Sequence, residues 1–369
     1  MNHENKEPLI LLSKRDGMPG LKAWLIRILS LLAALVVCGL IIFAITKLNP
    51  ISVYATMFDG AFGTNRRVWV TIRDAMMLLC VGIGLAPAFR MRFWNIGAEG
   101  QILAGGIATA ACMIYFGGKL PTALLLLVMA ACSLAAGALW GFIPAIFKAK
   151  FNTNETLFTL MMNYIAIQLT SYCVSLWERP SGSNSVGIIN QAGNEGWLPW
   201  LFGQQYALNV IIVMALAVGM YVYMRWSKQG YEIAVVGESE NTAKYAGINV
   251  GRVITRTMAI SGAICGLAGF IAVSGASHTI STSTAGGRGF TAIIIAWLSK
   301  FNTFVMIIVS FLLVFLEKGA MEIASRCNLN DYASSMITGI ILFFILGSEF
   351  FINYRLRFRA KGHKEAEKQ

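Results

Sequence analysis

Charge is scarce in this sequence. Asp, Glu, Lys and Arg together make up 13% of it, where soluble domains carry about a quarter. With 56% hydrophobic residues and a mean hydropathy of +0.63, little chain is left for a soluble domain. Nucleotide-hydrolysing machinery is missing too. No GxxxxGKS/T pattern occurs: Gly118-Lys119 is followed by Leu120 and lacks the upstream glycine. The three histidines form no HExxH pair and no Ser-His-Asp arrangement, and no two carboxylates are spaced for acid–base catalysis. The sequence therefore reads as a non-enzyme with no cofactor of its own. The seven cysteines (Cys38, Cys80, Cys112, Cys132, Cys173, Cys265, Cys327) have no metal or redox spacing and read as small core residues.

What is present is apolar sequence in long runs. Segments of about 20 apolar residues recur from residue 24 to residue 352, the length that crosses a bilayer as a helix. The expected fold is an all-α polytopic membrane protein of about ten transmembrane helices, at 24–46, 69–89, 97–117, 121–147, 155–177, 207–225, 255–275, 289–300, 303–321 and 333–353. The first run is too long for a signal-peptide core and no small-residue cleavage pattern follows it, so it is expected to stay as a span. The expected organisation is a polar N-terminal tail (1–23), a membrane body (24–353) and a basic C-terminal tail (354–369).

The net charge of +12 would suit nucleic acid, but the distribution suits a membrane better. With both termini placed in the cytoplasm, about 21 of the 30 basic residues fall on that side, as the positive-inside rule predicts. Two loops exceed connector length. The stretch 178–206 lies outside in this frame and is rich in Gly, Ser, Asn and Trp; Trp197 and Trp200 suit the membrane interface or a docking surface for an external partner. The stretch 226–256 lies inside. From Glu238 to Tyr245 it reads as a short amphipathic helix, with Glu238 and Glu240 at its acidic start and Gly247 past its end. It is too polar to enter the bilayer, which suggests a lever contacting a soluble partner. Two GxxxG pairs, Gly137/Gly141 and Gly262/Gly266, suit close helix packing. Asn152-Thr153-Asn154-Glu155 and Asn328-Leu329-Asn330-Asp331 open the fifth and tenth spans from opposite sides, a hint of an inverted repeat of spans two to five and seven to ten.

Three polar constellations stand out. Trp94-Asn95-Ile96-Gly97-Ala98-Glu99-Gly100-Gln101 puts a carboxylate and two amides at the start of a span, just after Arg90 and Arg92. Taken as a helix start, it sets Asn95 and Glu99 on one face and Gln101 on another. Two readings are compatible. Asn95 caps the helix with Glu99 in its favourable first turn, or a loosened helix start lines a cavity beside a polar solute. In the fifth span Thr156, Thr159, Asn163 and Thr170 share a face, fit for interhelical hydrogen bonds or for lining a neutral, hydroxyl- or amide-rich solute path. Finally, 274–289 is too rich in Gly, Ser and Thr for a lipid-facing helix; His278 reads as a loop histidine and Arg288 as the charge worth testing.

Asn95-Ile96-Gly97-Ala98-Glu99-Gly100-Gln101, with the loop from Gly230-Tyr231 through Ala243-Lys244-Tyr245-Ala246-Gly247-Ile248, resembles the permease subunits of bacterial ABC importers in the ribose and branched-chain amino acid permease superfamily. Asn154-Glu155-Thr156-Leu157 through Leu160-Met161-Met162-Asn163-Tyr164-Ile165 is similar to the nucleoside-type branch, which works with basic membrane lipoproteins. The resemblance covers roughly residues 65–350; Trp94 stands where Phe is usual. It implies a multi-pass protein of the bacterial cytoplasmic membrane, a second homologous permease, a lipid-anchored solute-binding protein and a separate cytoplasmic ABC ATPase that holds the ATP and Mg. The loop helix becomes a coupling helix, with Glu238, Ala243, Lys244, Ala246 and Gly247 as the residues coupled to the ATPase. The solute path is expected to involve Asn95, Glu99, Thr159, Asn163 and Arg288. The expected cargo is a nucleoside, a purine nucleoside first. The alternatives are a simple sugar such as ribose on the same type of permease, or an ion-coupled secondary transporter with Glu99 as its proton site.

Overall fold

The computed structural model describes residues 10–15, 20–46, 49–326 and 331–358. They fall into two compact units, 1–63 with 316–369, and 64–315.

In the first unit a short strand β1 (Ile10–Lys14) precedes helix α1 (Gly20–Thr46) and helix α2 (Pro50–Phe62). Between the first two expected spans, 24–46 and 69–89, residues 50–62 and 65–68 are thus helical as well. Pro50 at the first helical position favours a start there, and Val53, Met57 and Ala61, four residues apart, are buried along one face. The unit closes with the last helix, Asp331–Asn353, packed on α1, and with a strand, Tyr354–Phe358, paired antiparallel to β1. The pairing sets the two terminal segments side by side. Arg27 and Glu349 form an ion pair at 2.5 Å between the two helices. Of the expected tails, 1–9, 16–19 and 359–369 lie outside the described residues, as do Cys327 and three of the four residues of the second half of the proposed repeat signature, 328–330.

The second unit holds α3 (Asn65–Arg90), α4 (Ala98–Phe116), α5 (Thr122–Phe151), α6 (Glu155–Trp177), α7 (Ala207–Trp226), α8 (Lys228–Glu238), α9 (Glu240–Tyr245), α10 (Val250–Ala272) with a π turn at Val273–Ser277, and α11 (Arg288–Leu298). Helix α12 (Thr303–Arg326) crosses the unit boundary, and the helix 331–353 is α13. All ten expected segments are helical. Eight described helices are long and apolar enough to cross a membrane, with Arg288–Leu298 as a shorter apolar one. Helix α4 is not among the eight: Glu99 and Gln101 in its first turn dilute it.

Helix α10 forms the axis of this unit, packed against α3, α4 and α5. The two GxxxG pairs face one another. A methyl group on Gly137 would strike the backbone of Gly262, one on Gly262 the backbone of Gly137, and one on Gly266 the carbonyl of Ser133. The helices touch backbone to backbone, as small residues permit in lipid. Gly262→Val is expected to destabilise the protein by about 1–3 kcal/mol through overpacking. Thermal unfolding in detergent reads this; an unchanged transition would show that the helices can part at no cost.

Candidate functional site

The chain leaves α3 at Arg90 and does not enter α4 directly. Residues 93–96 have no helical structure and climb back into the bundle. Trp94 stacks on Trp297, near the end of α11, at 5.5 Å between ring centres, and Phe89 meets both rings edge-on at 5.8 and 6.1 Å. Five residues after Trp94, the Glu99 carboxylate accepts the Gly289 N–H at the other end of α11, at 2.7 Å. Gly289 and Trp297 are eight helical residues apart, about 12 Å. Trp94 meets one end of α11 and Glu99 the other, so the unwound stretch runs alongside α11. Helices α4 and α11 both begin inside the unit, with their first turns against each other. Gly289 is required at that crossing, because a Cβ there would lie 2.7 Å from the Glu99 nitrogen.

The unwound stretch exists because side chains give its backbone partners that a helix would otherwise supply. Asn95 Oδ1 accepts the Gly97 N–H at 3.0 Å. Thr159 Oγ1 accepts the Ile96 N–H at 3.2 Å and itself donates to the Glu155 carbonyl at 2.7 Å. Asn163 Nδ2 donates to the Ile96 carbonyl and its Oδ1 accepts the Gly100 N–H, both at 2.8 Å. Asn95 Nδ2 reaches Ser261 Oγ on α10 at 3.3 Å and Gln101 Oε1 at 3.4 Å. Asn95, Glu99, Gln101, Thr159, Asn163 and Thr170 are all buried.

Several expectations change here. Asn95 precedes the helix, which starts at Ala98 with Gly97 as its cap and no capping side chain. It therefore shares no helical face with Glu99 and pairs with Gln101 instead. Glu99 answers to α11, and the climb of 93–96 separates it from Arg90 and Arg92. The polar face of α6 turns inward onto the unwound backbone; Leu157, Met161, Tyr164 and Ile165 are its exposed side.

Arg288 opens α11 after Gly287, whose φ is 75°. Its guanidinium lies 3.8 Å from Asp74 of α3 and 3.4 Å from the Thr284 carbonyl. Asp74 is buried and also pairs with Arg73 at 2.8 Å, and Arg73 donates to the Tyr206 hydroxyl at 3.3 Å. Sequence reasoning missed Asp74, although an acid in the middle of an apolar run is itself the signal. Trp297 and Phe89 were also missed; no spacing rule pairs them with Trp94.

The 274–278 end of α10 is held by the 178–206 loop. Ser274 Oγ donates to the Gly196 carbonyl at 2.5 Å, Leu198 N–H to the Ser274 carbonyl at 3.1 Å and Ile189 N–H to the His278 carbonyl at 2.8 Å. His278 lies flat on Trp197, 3.7 Å between ring centres and 6° between planes. Trp197 is thus a packing residue, while Trp200 and Phe202 (86% exposed) project.

At the opposite end of α10 sits the loop helix. The expected helix from Glu238 to Tyr245 is two helices. Glu238 closes α8, Ser239 caps α9 by accepting the Thr242 N–H at 3.3 Å, and only Glu240 stands in the acidic first turn. Ser227 caps α8 in the same way, accepting the Gly230 N–H at 2.9 Å. Ile233, Val236 and Ala243 pack with Ala88, Phe93, Ala145, Val253 and Met258, so both helices are fastened to the ends of α3, α5 and α10. Ala243 is fully buried, whereas Lys244, Ala246 and Gly247 are exposed and Tyr245 is 93% exposed. Gly247 has φ 76° and ends α9.

Apolar helices around a backbone-packed axis, two of them starting inside the bundle, and a polar helical loop fastened to one end define a multi-pass membrane transport subunit. Residues 68–346 match the family described as branched-chain amino acid transport system / permease component, and the chain belongs to that family, the permease components of ABC importers. It is 32% identical over 327 residues to the guanosine ABC transporter permease protein NupP of Bacillus subtilis, covering 87% of this chain and 91% of NupP. It is 26% identical over 339 residues to the nucleoside ABC transporter permease protein NupB of Lactococcus lactis (89% and 92% of the two chains). Against the glucose ABC transporter permease protein TsgB13 of Haloferax volcanii it is 27% identical over 360 residues (94% and 93%). Nucleotide hydrolysis in such importers belongs to a separate subunit.

Proposed function

We propose that this permease carries nucleosides, purine nucleosides first, into the cell. It works beside a second homologous permease, above a cytoplasmic ABC ATPase and below a lipid-anchored solute-binding protein. The similarity to the guanosine permease, at 32% over 87% of the chain, carries the reading. The interior chemistry supports it: around the unwound stretch stand amides and hydroxyls, and the buried acids Asp74 and Glu99 are matched by Arg73, Arg288 and a helix start. That surrounding suits a neutral polar solute. The glucose permease, at 27%, favours the sugar alternative less.

In this reading 93–98 and the start of α11 form one wall of the path. Asn95, Thr159 and Asn163 hold the wall's backbone, and Glu99 and Arg288 set the position of α11 beside it. The loop-helix end is cytoplasmic, as are both termini, and the 178–206 loop faces outward. Arg90, Lys148, Lys150, Arg225 and Lys228 all gather at the loop-helix end, which agrees with the positive-inside rule. Glu238, Lys244, Ala246 and Gly247 meet the ATPase, and Ala243 ties that contact to the body. Closure of the ATPases moves α8–α9 and, through them, the ends of α3, α5 and α10.

Vesicles holding the complete complex with internal ATP are expected to accumulate labelled guanosine and to leave labelled ribose and glucose outside. Sugar accumulation without nucleoside accumulation would reverse the substrate assignment.

A further inference from the structure

Three cationic side chains from separate elements converge at the loop-helix end of the second unit. Arg90 ends α3, Arg225 is in the last turn of α7, and Lys300 lies in the turn between α11 and α12. They line one cavity of about 410 Å³, within the range of about 300–1,000 Å³ typical of small-molecule sites. Among the described residues no carboxylate lines it, and none of the three cations has an ion-pair partner. Tyr221, Met224 and Phe301 form its apolar part, beside Asn302 and Thr303. Tyr221 is braced by Phe304 at 5.0 Å between ring centres, and the Arg225 guanidinium lies 5.9 Å from the Tyr221 ring.

The turn itself is unusual. Lys300 and Phe301 both hold left-handed backbone, with φ 49° and 63°, a conformation that disfavours non-glycine residues. It places the start of α12 at the cavity, where Asn302 Oδ1 accepts the Phe304 N–H at 3.0 Å. A 24-residue helix thus directs its positive end toward the three cations. Arg225 and Lys300 are exposed and Arg90 is half-buried, so a shared anion can enter from the surface and relieve their mutual repulsion.

We infer that this cavity holds the phosphate-bearing headgroup of an anionic membrane lipid, its acyl chains running along the apolar faces of α7 and α12. The positive-inside tendency alone scatters cations at this end; it does not bring three of them, a helix start and an aromatic wall into one cavity. Basic pockets between membrane helices on the cytoplasmic side suit phosphate headgroups for these reasons. The site also adjoins the coupling loop. Trp226 and Ser227 lead from Arg225 directly into α8, and Gly237 of α8 packs on the Arg90 carbonyl.

The test is the thermal unfolding of the purified permease with phosphatidylglycerol, with phosphatidylcholine, or with inorganic phosphate added to the same detergent. Phosphatidylglycerol is expected to raise the midpoint above the phosphatidylcholine value, and inorganic phosphate is not. The double variant R225Q/K300Q should lose the phosphatidylglycerol-specific part, while Lys119→Gln at the opposite end keeps it. An equal shift from inorganic phosphate overturns the lipid assignment, and an undiminished shift in the double variant overturns the site. Should that variant fail to fold, a photoactivatable phosphatidylglycerol on the wild-type protein decides. Labelled peptides are expected at 221–226 or 300–304, and labelling elsewhere alone overturns the proposal.

Discussion

Glu99→Ala is expected to lower solute uptake by about ten- to hundredfold while the protein still inserts and assembles. The carboxylate accepts the second N–H of α11 at 2.7 Å, and it does so where the helix dipole adds to the attraction. A hydrogen bond to a charged group contributes about 1.5–3 kcal/mol, which converts to that fold-change at about 1.4 kcal/mol per decade. Removing it leaves a buried N–H unpaired and frees the start of α11 from the start of α4. Glu99→Gln keeps an acceptor without the charge, so its uptake should fall between wild type and Glu99→Ala. ATP-dependent uptake into vesicles measures all three. Equal uptake by all three would mean that the α4–α11 junction plays no part in the path.

The second large effect separates two neighbours on the loop helix. Tyr245→Ala should leave the permease folded but weaken its grip on the ATPase. Truncating an aromatic anchor at an interface typically costs about 2 kcal/mol or more, roughly thirtyfold in affinity. Ala243→Glu should behave differently, because Ala243 is fully buried among Ile233, Val236 and Val253. An unpaired charge placed there costs about 3–5 kcal/mol, and the expected result is loss of folded permease. Co-purification with the ATPase reads the first change and the yield of monodisperse protein reads the second. If Ala243→Glu folds and Tyr245→Ala still binds the ATPase normally, the contact does not lie on this helix.

The contrast shows where sequence reasoning stopped. Both residues stand in a motif that points to coupling, yet only the packing of α9 on α10 reveals which one faces outward. The long apolar runs were legible because hydrophobic length depends on composition alone, and the GxxxG pairs because close approach permits few other residues. Helix α8 was less legible. Its Ile233-Ala234-Val235-Val236 run has no helical period, and only Ser227 ahead of it carried a capping signal. The unwound stretch was misread for a physical reason. Thr159 and Asn163 supply backbone partners across 63 to 67 residues of sequence, and no local pattern records that. A helical projection therefore joined Asn95 to Glu99 when the folded chain joins Asn95 to Gln101 and Glu99 to Gly289.

The glycine seams have a mechanical corollary. Where α10 meets α4 and α5, main chain rests on main chain, so no rotamers exist at those seams to absorb sliding. Helices locked in that way translate as a single body. Displacement of that body against α3 or α11 then falls on torsions at the two non-helical breaks that join them to it, 93–96 and 278–287. These two short stretches carry the torsional freedom that the glycine seams lack.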